Sequence, residues 1–356
     1  MTTFLHVVGA RPNFMKVAPV FHALAHLPGI RQLIVHTGQH YDFNMSDVFF
    51  QQLGIPAPDI NLKVGPGSHA QQTSEIISRF EPVVEQQRPD WVLVYGDVNS
   101  TVAAALVCAK LLIPVAHVEA GLRSFDRTMP EEINRLLTDQ MADLLFTPSQ
   151  DGNENLMREG IPSGHIHLVG NVMIDTLIRM LPVATQQKSA GIPERFALVT
   201  LHRPANVDDT CWLGKTIEML QTISHDLPVI FPMHPRTRKR LQESGTYISN
   251  SNGLKVTEPL PYLEFLCLQT RASVVITDSG GIQEETTYLG VPCLTVRENT
   301  ERPVTLTLGT NTLVGRSVEV IERELQNVIA GRAKKGSIPP LWDGHAAERI
   351  AGTLLA

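Results

Sequence analysis

The chain is predicted to be an α/β protein built from two doubly wound domains, and three observations carry that prediction. Short β-rich apolar runs alternate with helix-length amphipathic segments, the arrangement of parallel βαβ units. The alternation lapses after HLVGN, His167 to Asn171, and restarts at Phe196. With 356 residues, 43% hydrophobic and 19% charged, the chain can bury a large core and is longer than one ordinary domain.

In order along the chain, FLHVVG is a short apolar run closed by glycine, hence a strand, and an amphipathic helix is expected from about Phe14 to His26. RQLIVHTG is the second strand, followed by a helix around Ser46 to Leu53. WVLVYG, a helix over Thr101 to Leu111, PVAHVEAG and LLFTPS continue the alternation. The segment from Val172 through Pro193 starts as a helix and passes into a polar, Gln-rich run without a strand, which places the boundary at its start. The pattern then resumes with FALVTLH, PVIFPMH, SVVITDS and PCLTV. The expected domains are therefore residues 1–170 and 171–341, each Rossmann-like. The tail WDGHAAERIAGTLLA, residues 342–356, reads as an amphipathic helix that packs back on the first domain. GARPN and LHRPAN, each after the first strand of a half, echo one another as duplicated halves would.

Composition narrows the partners. The formal charge of -6 comes without a Lys/Arg block, which argues against a nucleic-acid backbone as ligand. Cys108, Cys211, Cys267 and Cys293 lie far apart in apolar surroundings without a CxxC pair, and read as buried free thiols of a reducing cytoplasm. VAAALVCAKLLIPVAHV is broken by Lys110 and Pro114, and the N-terminus lacks a secretory pattern, so neither a membrane segment nor a leader is expected.

Open parallel sheets bind ligands beyond the carboxyl ends of their strands. In the first half those positions hold Arg11 and Lys16 in GARPNFMK, His40 in TGQHYD, Asp97 in YGDVNST and Glu119 in HVEAGLRS, with Glu131 and Arg135 following in MPEEINR. In the second half they hold His202 and Arg203, His234 and Arg236, and Asp278 to Gly281. Both sets are expected to serve one shared crevice.

TDSGGIQEE places Ser279, Gly280 and Gly281 at the start of a helix, where free N–H groups and the macrodipole favour an anion and glycines allow close approach. A diphosphate suits that site, and Glu285, further into the helix, suits ribose hydroxyls; tight packing alone is the competing explanation. Asp97, Glu119 and Glu131 form a carboxylate group fit for acid/base chemistry. Alternatively, Asp97 caps the next helix, while Glu119 and Glu131 pair with Arg123 and Arg135. None of the three has the close ligand spacing of a metal motif, so no metal is expected. His202, at a strand end, is placed to donate to a leaving phosphate. His40, His117 and His234 are left open, and Phe265 is either a stacking face for a base or core.

GARPNFMK, TGQHYD, YGDVNST, HVEAGLRSFDRTMPEEINR, LHRPANVDD, HPRTR and TDSGGIQEE with RENTERP, in this order from about Phe4 to the last helix, resemble the non-hydrolysing UDP-N-acetylglucosamine 2-epimerases. The resemblance implies the GT-B fold, two doubly wound Rossmann-like domains facing across a cleft, with UDP bound by the C-terminal one. It implies reversible C2 epimerisation of UDP-N-acetylglucosamine to UDP-N-acetylmannosamine by elimination and re-addition of UDP through 2-acetamidoglucal. It places the catalytic carboxylates on Asp97, Glu119 and Glu131 and the catalytic histidine on His202. The UDP-sugar contacts fall on Arg11, Lys16, Arg135, Phe265, Ser279, Gly280, Gly281 and Glu285. It further implies no cofactor, a homodimer, and a product that feeds polysaccharide of the cell envelope.

Two stretches depart from the regulated bacterial members, which carry Gln-His-x-x-Met and an Arg-Arg-Glu type sequence where this chain reads QHYDFNM and HRPAN. The same features are similar to epimerases acting on UDP-2,3-diacetamido-2,3-dideoxy-glucuronic acid, which makes that sugar the alternative substrate. A GT-B glycosyltransferase would need an acceptor patch not read here. A non-catalytic nucleotide-sugar sensor would not need the carboxylates.

Overall fold

The computed structural model describes residues 1–39, 50, 52–187, 191–246, 248 and 253–356, with the side chain of Arg11 outside that set. The chain divides into two compact units, Met1–Thr176 with Pro340–Ala356, and Leu177–Pro339.

The first unit runs β1 (Thr2–Val8), α1 (Arg11–Ala25), β2 (Ile30–His36), β3 (Ile60–Asn61), α2 (His69–Gln87), β4 (Trp91–Tyr95), α3 (Asn99–Leu111), β5 (Val115–Val118), α4 (Pro130–Met141), β6 (Leu144–Thr147), α5 (Gln150–Arg158), β7 (Ile166–Leu168) and the start of α6 (Val172–Ala184). Among the described residues the strands form one parallel sheet in the order β3-β2-β1-β4-β5-β6-β7. Helices cover both faces of such a sheet, so its central strands are apolar on both sides. Phe4, Leu5, Val7 and Val8 of β1 and Val92 to Tyr95 of β4 are all buried.

α1 begins at Arg11, three residues before the start expected at Phe14. Pro12 is tolerated in a first turn, where its missing N–H has no intrahelical partner. Asn13 completes the start: its side-chain oxygen accepts from the N–H groups of Gly9 and Ala10 at 3.1 and 2.9 Å, and its amide donates to the Tyr95 carbonyl at 2.7 Å. The helix expected around Ser46 to Leu53 lies largely outside the described residues. α2, α4, α5, β3 and β7 come in addition to the expected elements, and of the cysteines expected to be buried Cys108, Cys267 and Cys293 are buried whereas Cys211 is exposed.

The tail belongs to this unit. Its helix, Ala346–Leu354, packs on α1, and Asp175 accepts from the N–H groups of Ala346 and Ala347 at 3.3 and 2.8 Å. The Trp342 indole donates to the Pro148 carbonyl at 2.9 Å.

The second unit, beyond the rest of α6, runs β8 (Ala197–Thr200), α7 (Pro204–Val207), α8 (Thr210–Ile223), β9 (Val229–Pro232), α9 (Pro235–Glu243), β10 (Leu254–Thr257), α10 (Tyr262–Arg271), β11 (Val274–Thr277), α11 (Gly280–Leu289), β12 (Cys293–Thr295), α12 (Pro303–Thr307), β13 (Asn311–Leu313) and α13 (Val318–Ile329). Its parallel sheet has the order β10-β9-β8-β11-β12-β13 among the described residues. Each sheet reverses its direction of growth once, between β1 and β4 and between β8 and β11. A crevice opens at such a switch point because the loops on either side diverge. Lys16 and Asp97 follow β1 and β4; His202 and Asp278 follow β8 and β11. No helix among the described residues is long and apolar enough to cross a membrane.

Candidate active site

In the first unit, β4 and β5 pair in register up to Tyr95 opposite Val118, so their following loops leave the sheet side by side. Gly96 turns the chain at φ 65°, a conformation that favours glycine, and a Cβ there would lie 2.5 Å from Lys16 Nζ. Lys16 is buried and its Nζ lies 2.6 Å from Glu119 Oε2; the two side chains are only 7% and 3% exposed. Glu119 itself has φ 74°, a left-handed conformation costing a side-chain-bearing residue roughly 1–3 kcal/mol. Its N–H and that of Ala120 both donate to the Phe146 carbonyl at 3.0 Å, which holds the turn.

Asp97 is half-buried, and its Oδ2 accepts from Arg135 Nη1. Arg135 Nε and Nη2 donate to Glu132 Oε2 at 3.0 and 2.6 Å. Glu132 also accepts from the Ser124 N–H and hydroxyl, both at 3.0 Å, and from the Phe125 N–H at 2.9 Å. Burial alone would raise the Glu132 carboxyl, but the Ser124 N–H and the Arg135 guanidinium outweigh it and hold it below its ordinary value.

The ion pairs weighed from the sequence are therefore reassigned. Arg135 pairs with Glu132 and Asp97 and not with Glu131, which is exposed on the first turn of α4. Arg123 pairs with Asp139 at 2.7 Å and Glu159 at 2.6 Å, while Glu119 pairs with Lys16. Helical spacing allows Arg135 either Glu131 or Glu132; Glu132 is the one buried and fixed by Ser124 and Phe125, whereas Glu131 is exposed. The cap of α3 is Val98, not Asp97.

His117 is fully buried, its Nδ1 2.6 Å from Asp139 Oδ1 and its Nε2 donating to the Gly96 carbonyl at 2.9 Å. Sequence reasoning passed over Asp139. Its signal was present in PEEINRLLTDQM, where Glu131, Arg135 and Asp139 recur every four residues along one stripe of α4.

In the second unit, Thr277 on β11 is paired with Thr200 on β8, which brings Asp278 beside His202. Asp278 is fully buried and accepts from the N–H groups of His202 at 3.0 Å and Arg203 at 2.9 Å and from Asn206 Nδ2 at 3.0 Å. His202 Nδ1 lies 3.0 Å from Asp278 Oδ1, and the imidazole is 39% exposed. Burial opposes the Asp278 charge, yet the His202 hydrogen bond keeps the carboxyl below its ordinary value. His234, left open by the sequence, caps α9, accepts from the Arg236 N–H at 3.2 Å and stacks loosely on His202 with ring centroids 5.9 Å apart.

Ser279 caps α11 with no side-chain cap bond, and its own N–H donates to Thr277 Oγ1 at 3.0 Å. A Cβ on Gly280 would meet Arg302 Nη1 at 2.6 Å and Glu301 Oε1 at 3.1 Å. Arg302 Nε lies 2.8 Å from Glu284, Arg302 Nη1 donates to Glu301, and Arg297 Nη2 donates to Glu301 at 2.7 Å. The arginines override burial and hold the Glu301 carboxyl well below the carboxylate range. A cluster of paired arginines and carboxylates thus backs the N-terminus of α11. Gly281 is half-buried beside it.

Glu285 is buried and accepts from the Tyr262 hydroxyl at 2.9 Å. Tyr262 was missed; it lies three residues before Phe265 on α10, one turn away on the same face. Phe265 is half-buried and packs against the core around Phe196 and Val275. The structure thus groups Lys16, Asp97, Glu119 and Arg135 in one unit and His202, Ser279, Gly280 and Glu285 in the other. The Arg11 side chain and His40, with most of QHYDFNM, lie outside the described residues.

The family model for UDP-N-acetylglucosamine 2-epimerase matches residues 22–355. The UDP-N-acetylglucosamine 2-epimerase of Methanocaldococcus jannaschii is 42% identical over 359 residues, 98% of this chain and 97% of that protein. The UDP-2,3-diacetamido-2,3-dideoxy-D-glucuronate 2-epimerase of Pseudomonas aeruginosa is 41% identical over 350 residues, 98% of each. A solved structure of the Methanocaldococcus jannaschii enzyme in complex with UDP-GlcNAc and UDP is similar with a TM-score of 0.91 at 40% identity, covering 99% of both chains.

Proposed function

This chain belongs to the UDP-N-acetylglucosamine 2-epimerase family, and from that premise we propose that it interconverts UDP-N-acetylglucosamine and UDP-N-acetylmannosamine without net hydrolysis. The observation that carries this reading is the Asp278–His202 pair beside the start of α11, whose first N–H groups, at Gly280 and Gly281, have no acceptor within the helix.

The C2 proton of the sugar is weakly acidic, so departure of UDP comes first. The C1–O bond to the diphosphate breaks, the C2 proton is lost, and 2-acetamidoglucal and UDP remain bound. Reprotonation at C2 from the opposite face and return of the diphosphate oxygen to C1 complete the epimerisation. His202 and the α11 N–H groups stabilise the charge growing on the leaving diphosphate, an effect worth about 3–4 kcal/mol per well-placed donor. Ser279, Gly280 and Gly281 hold the phosphates, with Arg11 as a further contact; Glu285 takes ribose hydroxyls, and Phe265 stacks on the uracil. Asp97, Glu119 and Glu131 manage the proton and the cationic ring, with Lys16 and Arg135 orienting the first two through the pairs described above.

The near-equal identity to the Pseudomonas aeruginosa enzyme supports a second reading, in which the sugar is a 2,3-diacetamido-glucuronic acid. Incubating the protein with each UDP-sugar in D2O and following it by NMR separates the two. Deuterium entering C2 as the epimer forms identifies the substrate. Free UDP and free sugar mean hydrolysis, and binding without exchange means a sensor or transferase.

A further inference from the structure

We propose that His117 and Asp139 are positioning residues that set the separation of the Asp97 and Glu119 loops; this rests on the epimerase reading above. Neither touches solvent: His117 and Asp139 are both 0% exposed. They act through backbone atoms. The Gly96 carbonyl can only accept, so His117 Nε2 carries the proton that bonds it at 2.9 Å, and the next residue is Asp97. On the other side of the ring, Nδ1 meets Asp139 Oδ1 at 2.6 Å. The second Asp139 oxygen accepts from the Gly121 N–H at 3.1 Å, two residues past Glu119, and pairs with Arg123 at 2.7 Å. One bridge therefore runs from the turn carrying Asp97, through an imidazole and a carboxylate, to the turn carrying Glu119.

α4 completes the arrangement. The helix that holds Asp139 also presents Arg135, whose guanidinium reaches Asp97, and Asn134, whose amide donates to the Asp97 carbonyl at 2.9 Å. The Glu119 turn needs help to hold its shape, since a side-chain-bearing residue there has φ 74°, whereas Gly96 adopts its φ of 65° freely. An apolar pair would fill the same space without the desolvation penalty of a buried carboxylate and imidazole. Their polar atoms are spent on the two loops.

The test uses His117→Gln and Asp139→Asn in the full chain, with active sites counted by UDP titration. Turnover per UDP-binding site should fall about 100-fold, the effect of displacing a reacting group by about 1 Å. KM and UDP affinity should hold, and the double variant should be no worse than the poorer single one because both break one bridge. A merely structural role would lower the folded fraction and leave turnover per site intact, and that result overturns the proposal. If one variant does not fold, the other decides. A wild-type 1H–15N spectrum, with the ring resonance assigned by its loss in His117→Gln, should show the proton on Nε2; an unprotonated Nε2 also overturns it. Should the wild type exchange no UDP-sugar, the functional reading fails, and a crystal structure of His117→Gln then judges the bridge: an unmoved Gly96–Asp97 turn overturns it.

Discussion

Lys16 Nζ and Glu119 Oε2 lie 2.6 Å apart with both side chains buried, joining α1 to the turn after β5. Removing one partner of such a pair takes a compensating charge from the other where water cannot replace it. Lys16→Met should therefore destabilise the protein by about 3–5 kcal/mol, read by urea unfolding. The Lys16→Met/Glu119→Gln double variant should regain stability but no C2 exchange. A stable, active Lys16→Met protein would show that the pair serves neither role.

Gly96 faces two constraints at once, a left-handed backbone and a Lys16 ammonium 2.5 Å from any Cβ. Gly96→Ala should lower turnover by about 100-fold through displacement of Asp97 and Lys16. UDP binding, assigned chiefly to the other unit, should change far less by calorimetry.

Gly280 is crowded by Arg302, which Glu284 and Glu301 hold in place. A methyl group there must push the guanidinium away or shift the start of α11. Gly280→Ala should weaken UDP binding by about tenfold, roughly 1.4 kcal/mol, while C2 exchange at saturating substrate changes less.

His202 and Asp278 form one device, with the buried carboxylate orienting the exposed imidazole. His202→Asn should cut turnover by about 10²–10³-fold. Exchange at C2 should fall in parallel, because proton loss follows UDP departure. Exchange that persists in a variant unable to form the epimer would reverse that order of steps.

Asp175 supplies a pH dependence of known sign. Burial pushes its carboxyl from 3.8 up to about 6, although it accepts from Ala346 and Ala347. The folded state therefore binds the proton more tightly than the unfolded one. Its stabilising contribution is complete below pH 3.8 and is lost as pH rises through about 6. The wild-type melting temperature should fall relative to Asp175→Asn across that window and run parallel to it above. A constant difference at all pH values would mean that Asp175 does not titrate there.

Much of the fold was legible because buried parallel strands must be short apolar runs and the segments between them must be amphipathic. FLHVVG, WVLVYG and SVVITDS declare themselves in this way. Two-residue β3 and the polar helix α2 do not: strand pairing is supplied by a neighbour, and α2 buries chiefly Ile76, Phe80 and Val84 on one narrow face. Family membership was legible too, through the order of seven polar motifs at strand ends.

What the sequence determined alone was local: which residues stand at strand ends, where glycine relieves a left-handed turn, and which helix starts present free N–H groups. The tertiary structure decided the partners. Lys16 and Glu119, or His117 and Asp139, meet only because parallel strands bring distant loops to one end of a sheet. A charge pairs with whatever lies within about 3 Å, and that distance is set by register and helix packing rather than by separation along the chain. For that reason the acids and the cations Lys16 and Arg135 could be named from the sequence, but which cation holds which acid, and the joining of His117 to Asp139 beneath them, could not.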